Sequence, residues 1–457
     1  MRGYAGTGKT SVVSALVKTL DSLKQKCVLL APTGRAAKIF SLYAAHPAFT
    51  IHKKIYRQRN FSNDLTNFAL ADNLQKHTLF LVDEASMIAN DGFSGGGFGT
   101  GRLLDDLVHY VYSGEGCRLL LMGDTAQLPP VGEEFSPALE SHQLQGYGLE
   151  VTEVNLSEVV RQQQASGILW NATRLREMIA EEMYGALPRI RLTGFADIRL
   201  MPGNELLEAL EECYGRDGEE ETIVICRSNK RANIYNIGIR GRILWREEEL
   251  ESGDMLMVVK NNYYWTAQEA KAQREAAGRR ENRPSDGMLQ GEQSLVPRLP
   301  DFIANGELAV VRRVRRTRSM YGFRFADVLL TFPDYDDVEM EVTLLLDTLQ
   351  SESPALSKEQ SDTLFQQVLE DYADVPLKRD RMQKLKEDPH FNALQVKYAY
   401  AVTCHKAQGG QWRNVFLDQG YLSEEYLTPD YFRWLYTAFT RATGTLYLVN
   451  YPPEQTE

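Results

Sequence analysis

Cysteine is scarce in this 457-residue chain: five residues, at positions 27, 117, 213, 226 and 404, with no C-x-x-C pair among them. A disulfide-built secreted module is thereby excluded, and the seven histidines show no zinc-ligand spacing, so no structural zinc is expected. No apolar run approaches the roughly 18–20 residues of a membrane span. The opening MRGYAGTGKT is a glycine-rich loop rather than a signal peptide. These absences point to a reducing, cytoplasmic setting. A basic excess is also missing, since the formal net charge is −11, and nucleic-acid binding therefore requires positive charge gathered locally. What is present is ordinary globular material, 43% hydrophobic and 25% charged. At about 100–200 residues per domain the length allows two to four domains.

The first 170 residues read as α/β. Apolar runs CVLLA (27–31), TLFLVD (78–83) and CRLLLMGD (117–124) alternate with helical stretches and end in polar or acidic residues. That is the pattern of parallel strands buried on both faces, with functional groups at their carboxyl ends. A second α/β portion begins at TIVICRS (222–228) and resumes at VKYAYAVTCHKAQGG, WRNVFLD and TLYLVN. Between them, VEMEVTL alternates Val338, Met340, Val342 and Leu344 with Glu339, Glu341 and Thr343. With DMLMVVK, ELAVVRRV and FADVLLTF it makes about four short strands, a small barrel or sandwich flanked by charged, structureless stretches at 266–300 and 350–390. The glycine-rich GFSGGGFGTG (92–101) follows no strand and opens no clear helix, so it reads as a mobile loop rather than a dinucleotide site.

Gly3 to Thr10, GYAGTGKT, matches G-x-x-x-x-G-K-[ST] in full and precedes a helix-like run. Glycines let backbone N–H groups wrap phosphate oxygens, Lys9 reaches the β- and γ-phosphates of ATP, and Thr10 binds Mg²⁺. TLFLVDEAS delivers Asp83 for the hydrated metal and Glu84 to orient or deprotonate the attacking water. In GDTAQLPPVG, Gln127 reads as a γ-phosphate sensor stiffened by Pro129 and Pro130, although the segment would serve equally as a rigid loop.

The ordered series GYAGTGKT, LLAPTGRAAK, TIHK, LVDEASM, GDTAQLPPVG, VVRQ, YAVTCHKAQGGQW and LYTAFTRA, spanning residues 3–449, resembles the superfamily 1 helicase motifs, most closely the superfamily 1B RecD and Dda branch. The resemblance implies an α/β fold of two RecA-like P-loop domains with ATP in the cleft between them. Residues 1–170 would form the first, 171–250 with 391–457 the second, and 251–390 an inserted barrel of Src-homology-3 type. Nucleotide would be held by Gly3, Ala5, Gly6, Thr7, Gly8, Lys9, Thr10 and Gly409, and Arg161 and Arg441 would complete the site from the second half. Guanidinium groups that reach the γ-phosphate only on closure tie hydrolysis to domain motion.

By the same resemblance, Pro32, Thr33, Arg35, Thr50, His52, Thr403 and His405 would hold single-stranded DNA by its phosphates. Residues 53–77 fall where the branch inserts a strand-splitting pin, with Lys53, Lys54, Arg57 and Arg59 interleaved with Tyr56 and Phe61; a plain hairpin or loop fits as well. Arg312, Arg313, Arg315, Arg316 and Arg318 would supply phosphate contacts on the barrel, or only a solvated strand face. The implied activity is a monomeric ATP-dependent 5′–3′ DNA helicase acting at duplex junctions. A translocase that unwinds poorly, or a truncated and catalytically inactive DNA-binding protein, are the rivals. Because only Met1 and Arg2 precede the first glycine, the reading also expects an upstream extension of the first strand, without which neighbouring backbone groups would lack partners.

Overall fold

The computed structural model describes residues 1–58, 68–92, 99–156, 166–281, 302–335, 337–422 and 427–457. Two compact units emerge, one of Met1–Arg59, Asn67–Glu247 and Tyr400–Glu457, the other containing Glu248–Ala399.

The first unit opens with β1 (Arg2–Gly3), α1 (Lys9–Ser22), β2 (Lys26–Ala31), α2 (Gly34–Ala44), β3 (Ala48–Thr50) and α3 (Ile51–Ile55). There follow an antiparallel pair β4 (Tyr56–Gln58) and β5 (Phe68–Leu70), β6 (Thr78–Val82), α4 (Leu103–Ser113), β7 (Arg118–Leu121), α5 (Ser141–Gln145) and β8 (Asn155–Leu156). Strands β3-β2-β6-β7 form a parallel sheet. Val13 and Val17 of α1 and Phe40 and Ala44 of α2 close one apolar core over Leu29, Leu81 and Met122. A sheet covered this way needs continuously apolar strands, which is why the runs lack alternation.

The short lead before the glycine loop is paired on both sides. Gly3 donates its N–H to the Gly123 carbonyl at 3.0 Å, Gly123 donates to Met1 at 3.3 Å, and Arg2 donates to Val154 at 2.8 Å.

The chain continues through α6 (Gly167–Ala180), β9 (Ile198–Met201), α7 (Leu206–Asp217), β10 (Thr222–Cys226) and α8 (Asn229–Arg242). The second unit then supplies β11 (Met255–Val258), α9 (Tyr264–Glu281), β12 (Leu308–Met320), β13 (Phe323–Phe332), β14 (Val338–Leu345), α10 (Lys358–Glu370), α11 (Lys378–Lys386) and β15 (Leu394–Tyr398). Back in the first unit, β16 (Ala401–Thr403), α12 (Cys404–Ala407), β17 (Trp412–Asp418), α13 (Pro429–Phe439) and β18 (Ala442–Val449) complete a second parallel sheet ordered β16-β10-β17-β18-β9. Asn236 of α8 locks its edge: its Oδ1 accepts the Ala401 N–H at 2.8 Å and its Nδ2 donates to the Ala401 carbonyl at 2.9 Å.

Strands β11 to β15 close a five-stranded barrel. Four strands were expected; the fifth, β15, comes from the VKYAYAV stretch that pattern alone assigned to the second α/β portion, so the barrel extends past residue 390. Val338, Met340 and Val342 point inward and Glu339 and Glu341 outward, but Thr343 is buried and donates to Asp327 Oδ1 at 2.8 Å. Where they are described, the charged stretches are not structureless; residues 282–300 of the first lie outside the described residues. Residues 264–281 are helical, and α10 starts at a reciprocal capping box between Ser357 and Gln360. A narrow stripe, Leu364, Val368 and Leu385, seats α10 and α11 against Phe323, Phe325 and Leu345. Heavy charge on the exposed faces hid this helical period.

Candidate nucleotide site and DNA-facing residues

The glycine loop leads from β1 into α1. Gly6 and Gly8 have φ of 75° and 82°, a left-handed conformation that glycine adopts without Cβ strain. A Cβ on Gly3 would meet Lys9 Cγ at 2.8 Å and Thr7 Oγ1 at 2.9 Å, so the loop closes tightly over its first glycine. Thr7 donates its hydroxyl to the Tyr4 carbonyl at 2.8 Å. Lys9 folds back on the loop, with its ammonium donating to the Gly3 carbonyl and to Tyr4 O at 3.1 Å. Thr10, one residue along, is exposed at the start of α1.

Asp83 follows directly on β6. Its Oδ1 accepts the Glu84 N–H at 2.9 Å and its Oδ2 accepts the Tyr43 hydroxyl. Burial first, and the Glu84 carboxylate next, push its pKa up to about 6, while Tyr43, the Glu84 N–H and Lys9 pull the other way. Glu84 itself sits at φ 50°, an uncommon conformation for a side chain of this size. The third strand end adds Asp124, fully buried, whose pKa is raised by burial against the opposing pull of Lys9 and two hydrogen bonds. Gln127 is 5% exposed, and its Oε1 lacks a hydrogen-bond partner among the described residues. A buried orphan acceptor is costly unless something fills it.

These groups fit a magnesium nucleotide. A loop of N–H donors, one lysine, a hydroxyl, two adjacent carboxylates and an unsatisfied acceptor form a complementary donor set for triphosphate, hard cation and water. Thr10 and Asp83 would hold the ion, which when bound neutralises phosphate charge.

Elements of the second sheet reach this loop. Tyr436 of α13 accepts the Ala5 N–H at 2.9 Å and donates to Asp124 Oδ2 at 2.6 Å. Next to it, Thr437 Oγ1 accepts the Leu128 N–H at 2.8 Å and Gln408 Nε2 donates to the Leu128 carbonyl at 2.8 Å, so the residue after Gln127 is bracketed. Arg176 of α6 lies 4.4 Å above the Tyr4 ring. Gly409, φ 73°, packs against α2: a Cβ there would stand 3.2 Å from Thr33 Oγ1 and 3.3 Å from Ala36 Cβ. Arg441 is 3% exposed and donates to Thr437 O at 3.1 Å, Gly410 O at 3.2 Å and Thr440 Oγ1 at 3.1 Å. Arg161 lies outside the described residues.

Residues 1–191 match the AAA domain family, and residues 398–449 match the UvrD-like helicase C-terminal domain. The two matches cover the glycine loop and acidic strand ends at one side and the Gly409 and α13 elements at the other. The chain is thus similar to helicases of the RecD and Pif1 type. Over 132 residues this chain is 33% identical to the ATP-dependent RecD2 DNA helicase of Deinococcus radiodurans, covering 29% of this chain and 16% of that protein. The ATP-dependent DNA helicase Pif1 of Campylobacter jejuni is 23% identical over 258 residues, 52% of this chain and 49% of the relative. An uncharacterized protein, R530, of Acanthamoeba polyphaga mimivirus is 20% identical and matches 97% of this chain and 93% of its own length. Among solved structures, Pif1 helicase from Candida albicans has a TM-score of 0.40 at 15% identity, covering 99% of this chain and 91% of the other.

The residues expected to face DNA are spread over helix starts. Thr33 and Thr50 cap α2 and α3, accepting the Ala36 and Lys53 N–H groups at 3.2 and 3.3 Å. Pro32 precedes that first cap, and Thr403 precedes α12, which carries the exposed His405. Arg35 stacks 4.2 Å over Trp412 and donates to the Gln411 carbonyl at 2.9 Å, joining α2 to the second sheet. Burial pushes His52 down to about 4, so its contact with a phosphate would be a hydrogen bond from a neutral ring.

Several expectations change. Tyr56 is buried and donates to Asp106 at 2.7 Å, so it forms core rather than a strand-splitting surface. Lys53 and Lys54 belong to α3 and precede the β4–β5 pair, while Arg59 and Phe61 lie outside the described residues, as do 93–98 of the glycine-rich segment. Of the five barrel arginines, Arg312 donates to Thr331, Arg315 pairs with Glu341 and Arg318 with Asp327, leaving Arg313 and Arg316 exposed on the strand. Tyr43, Asp124, Arg176 and Tyr436 were not singled out. Asp124 was legible, since it ends an apolar strand as Asp83 does; the tyrosines and Arg176 carry no local signal.

Proposed function

We propose that the protein is an ATP-dependent DNA helicase that couples hydrolysis to 5′–3′ movement along single-stranded DNA and opens duplex junctions ahead of it. The two parallel sheets act as two RecA-like motor domains, the five-stranded barrel is of Src-homology-3 type, and the β4–β5 pair is a short pin. The observation that carries the reading is the Ala5–Tyr436–Asp124 hydrogen-bond chain, which ties the nucleotide loop to a helix of the second sheet. Lys9, Thr10, Asp83, Glu84 and Gln127 serve the nucleotide, Mg²⁺ and water; Arg441, and Arg161 with it, reach the phosphates when the halves close. Thr33, Arg35, Thr50, His52, Thr403 and His405 grip the strand. Arg441 must exchange its carbonyl partners for phosphate to do this, so closure involves its release. The protein works as a monomer, and its five unpaired thiols suit a reducing cytoplasm.

Strand displacement on 5′-tailed and 3′-tailed duplexes, with ATP hydrolysis measured in parallel, tests the reading. Displacement of the 5′-tailed duplex alone supports it. A second reading, a translocase that unwinds poorly, is favoured by one observation: β4 and β5 are three residues each and the Tyr56 ring is turned into the core. ATP-driven movement without displacement would select it.

A further inference from the structure

The strand starts of the first sheet lie at the pole opposite the nucleotide loop, and three side chains with metal-ligating atoms converge there. Asp21 comes from the last turn of α1, Cys27 from the start of β2 and His46 from the turn between α2 and β3. Their ligand atoms, one carboxylate oxygen, Sγ and a ring nitrogen, all lie within 4.8 Å of one another. Cys27 Sγ stands 3.9 Å from His46 Nε2. A tetrahedral zinc ion, at about 2.3 Å from sulfur and about 2.0–2.1 Å from nitrogen, separates these two atoms by about 3.5 Å. The observed gap is a few tenths of an ångström larger, within the reach of a side-chain adjustment.

The other nitrogen of His46 supplies a second, independent observation. Nδ1 lies 3.2 Å from the Pro47 carbonyl oxygen. A carbonyl only accepts, so Nδ1 carries the hydrogen and the neutral ring presents its Nε2 lone pair toward Cys27. A backbone carbonyl holding one ring nitrogen while the other faces the ion is the arrangement by which proteins orient metal-binding histidines.

We propose that Asp21, Cys27 and His46 form a site for a zinc-class divalent cation, with three protein ligands and the fourth position open to water. Thiolate and carboxylate together balance the charge of a dication, and sulfur with imidazole selects zinc over magnesium. The ordinary reading of the cluster is a weak thiol–imidazole hydrogen bond beside an unrelated carboxylate. The two differ in stoichiometry: a three-ligand site takes up one divalent cation through the thiolate, and a hydrogen-bonded pair takes up none. The site stands independently of the helicase reading. It would staple the end of α1 to the start of β2 and the end of α2.

The test uses the full chain, stripped with chelator, in excess Mg²⁺ to keep the nucleotide site from competing. Titration with Co²⁺ should give a thiolate-to-metal charge-transfer band saturating at one equivalent, and Zn²⁺ should abolish it. Cys27→Ser should lose the band, and His46→Gln should weaken Co²⁺ binding at least tenfold, both with unchanged circular dichroism. Should Cys27→Ser misfold, Asp21→Asn and His46→Gln carry the test, each weakening binding in a folded chain. Zn²⁺ should also raise the thermal midpoint of the wild type and leave that of His46→Gln unmoved. Absence of a thiolate band, a band that persists in Cys27→Ser, or binding that never saturates would overturn the proposal.

Discussion

Replacing Tyr436 with Phe removes one oxygen atom and two hydrogen bonds at the point where the nucleotide loop meets the second sheet. The ring is 1% exposed and Asp124 is fully buried, so the carboxylate gains no compensating water. Asp124 keeps the Ala126 N–H at 3.0 Å, and the Ala5 N–H loses its acceptor. A hydrogen bond to a charged group contributes about 1.5–3 kcal/mol and a neutral one about 0.5–1.5 kcal/mol, so the variant should lose roughly 2–4 kcal/mol in all. That loss divides between folding stability, read by urea denaturation, and communication between nucleotide and DNA, read by hydrolysis. At about 1.4 kcal/mol per tenfold, even the share of one neutral bond in the coupling lowers DNA-stimulated turnover close to tenfold. The assay is ATP hydrolysis with and without saturating single-stranded DNA, KM and kcat taken separately. The expected outcome is a DNA-stimulated kcat reduced about tenfold, with the DNA-free rate changed less than threefold. A variant that loses stability but keeps the full stimulation ratio would refute the reasoning, because the hydroxyl would then be a packing group and no more.

Lys9→Ala should abolish ATP hydrolysis while leaving the thermal midpoint within about 2 °C, since among the described residues the lysine donates to loop carbonyls alone; retained hydrolysis would count against the nucleotide site. Asn236→Leu leaves both backbone groups of Ala401 without their clamp and should cost about 2–4 kcal/mol in denaturant unfolding, with a smaller loss placing the edge of the second sheet under other control. Gly409→Ala combines a left-handed backbone with Cβ contacts of 3.2 and 3.3 Å, and should destabilise by about 1–2 kcal/mol and reduce DNA-stimulated hydrolysis. Lys397, 5% exposed in β15, is pushed down to about 8 by burial despite donating to the Thr348 and Ser351 carbonyls. Between about pH 8 and 10.4 the unfolded chain therefore holds more protons at this position. Its contribution makes stability rise with pH across that window, and Lys397→Met should flatten the rise in pH-dependent unfolding curves.

The strand ends that carry the proposed nucleotide residues were legible because each is local. GYAGTGKT, VDEAS and GDTAQ place glycines, lysine, acids and amide at strand ends, and the strand ends are set by continuous apolar runs. Contacts that cross from one sheet to the other were not. Tyr436 meets Ala5 across more than four hundred residues, and nothing in LYTAFTRA marks its hydroxyl as the acceptor. The charged stretches misled for a related reason: Leu364, Val368 and Leu385 are few and widely spaced, and only the barrel surface they rest on makes their period visible. Tyr56 erred in the opposite direction. Basic neighbours suggested a surface, whereas Asp106, fifty residues later, buries it.

The barrel's first and last strands, β11 and β15, are antiparallel neighbours, with Leu256 opposite Tyr398 and Val258 opposite Val396. The chain therefore enters and leaves the barrel through adjoining doorways, about 4.8 Å apart. For the rest of the polypeptide, a detour of this kind is entropically a small closed loop whose circumference is irrelevant, because its ends are already fastened together. Such a graft can lengthen, acquire helices such as α10 and α11, or be exchanged for another module, while the parent fold registers only a fixed pair of anchor points. A short glycine-serine bridge replacing the graft should leave the first unit able to fold, and would separate what that unit does alone from what the barrel adds.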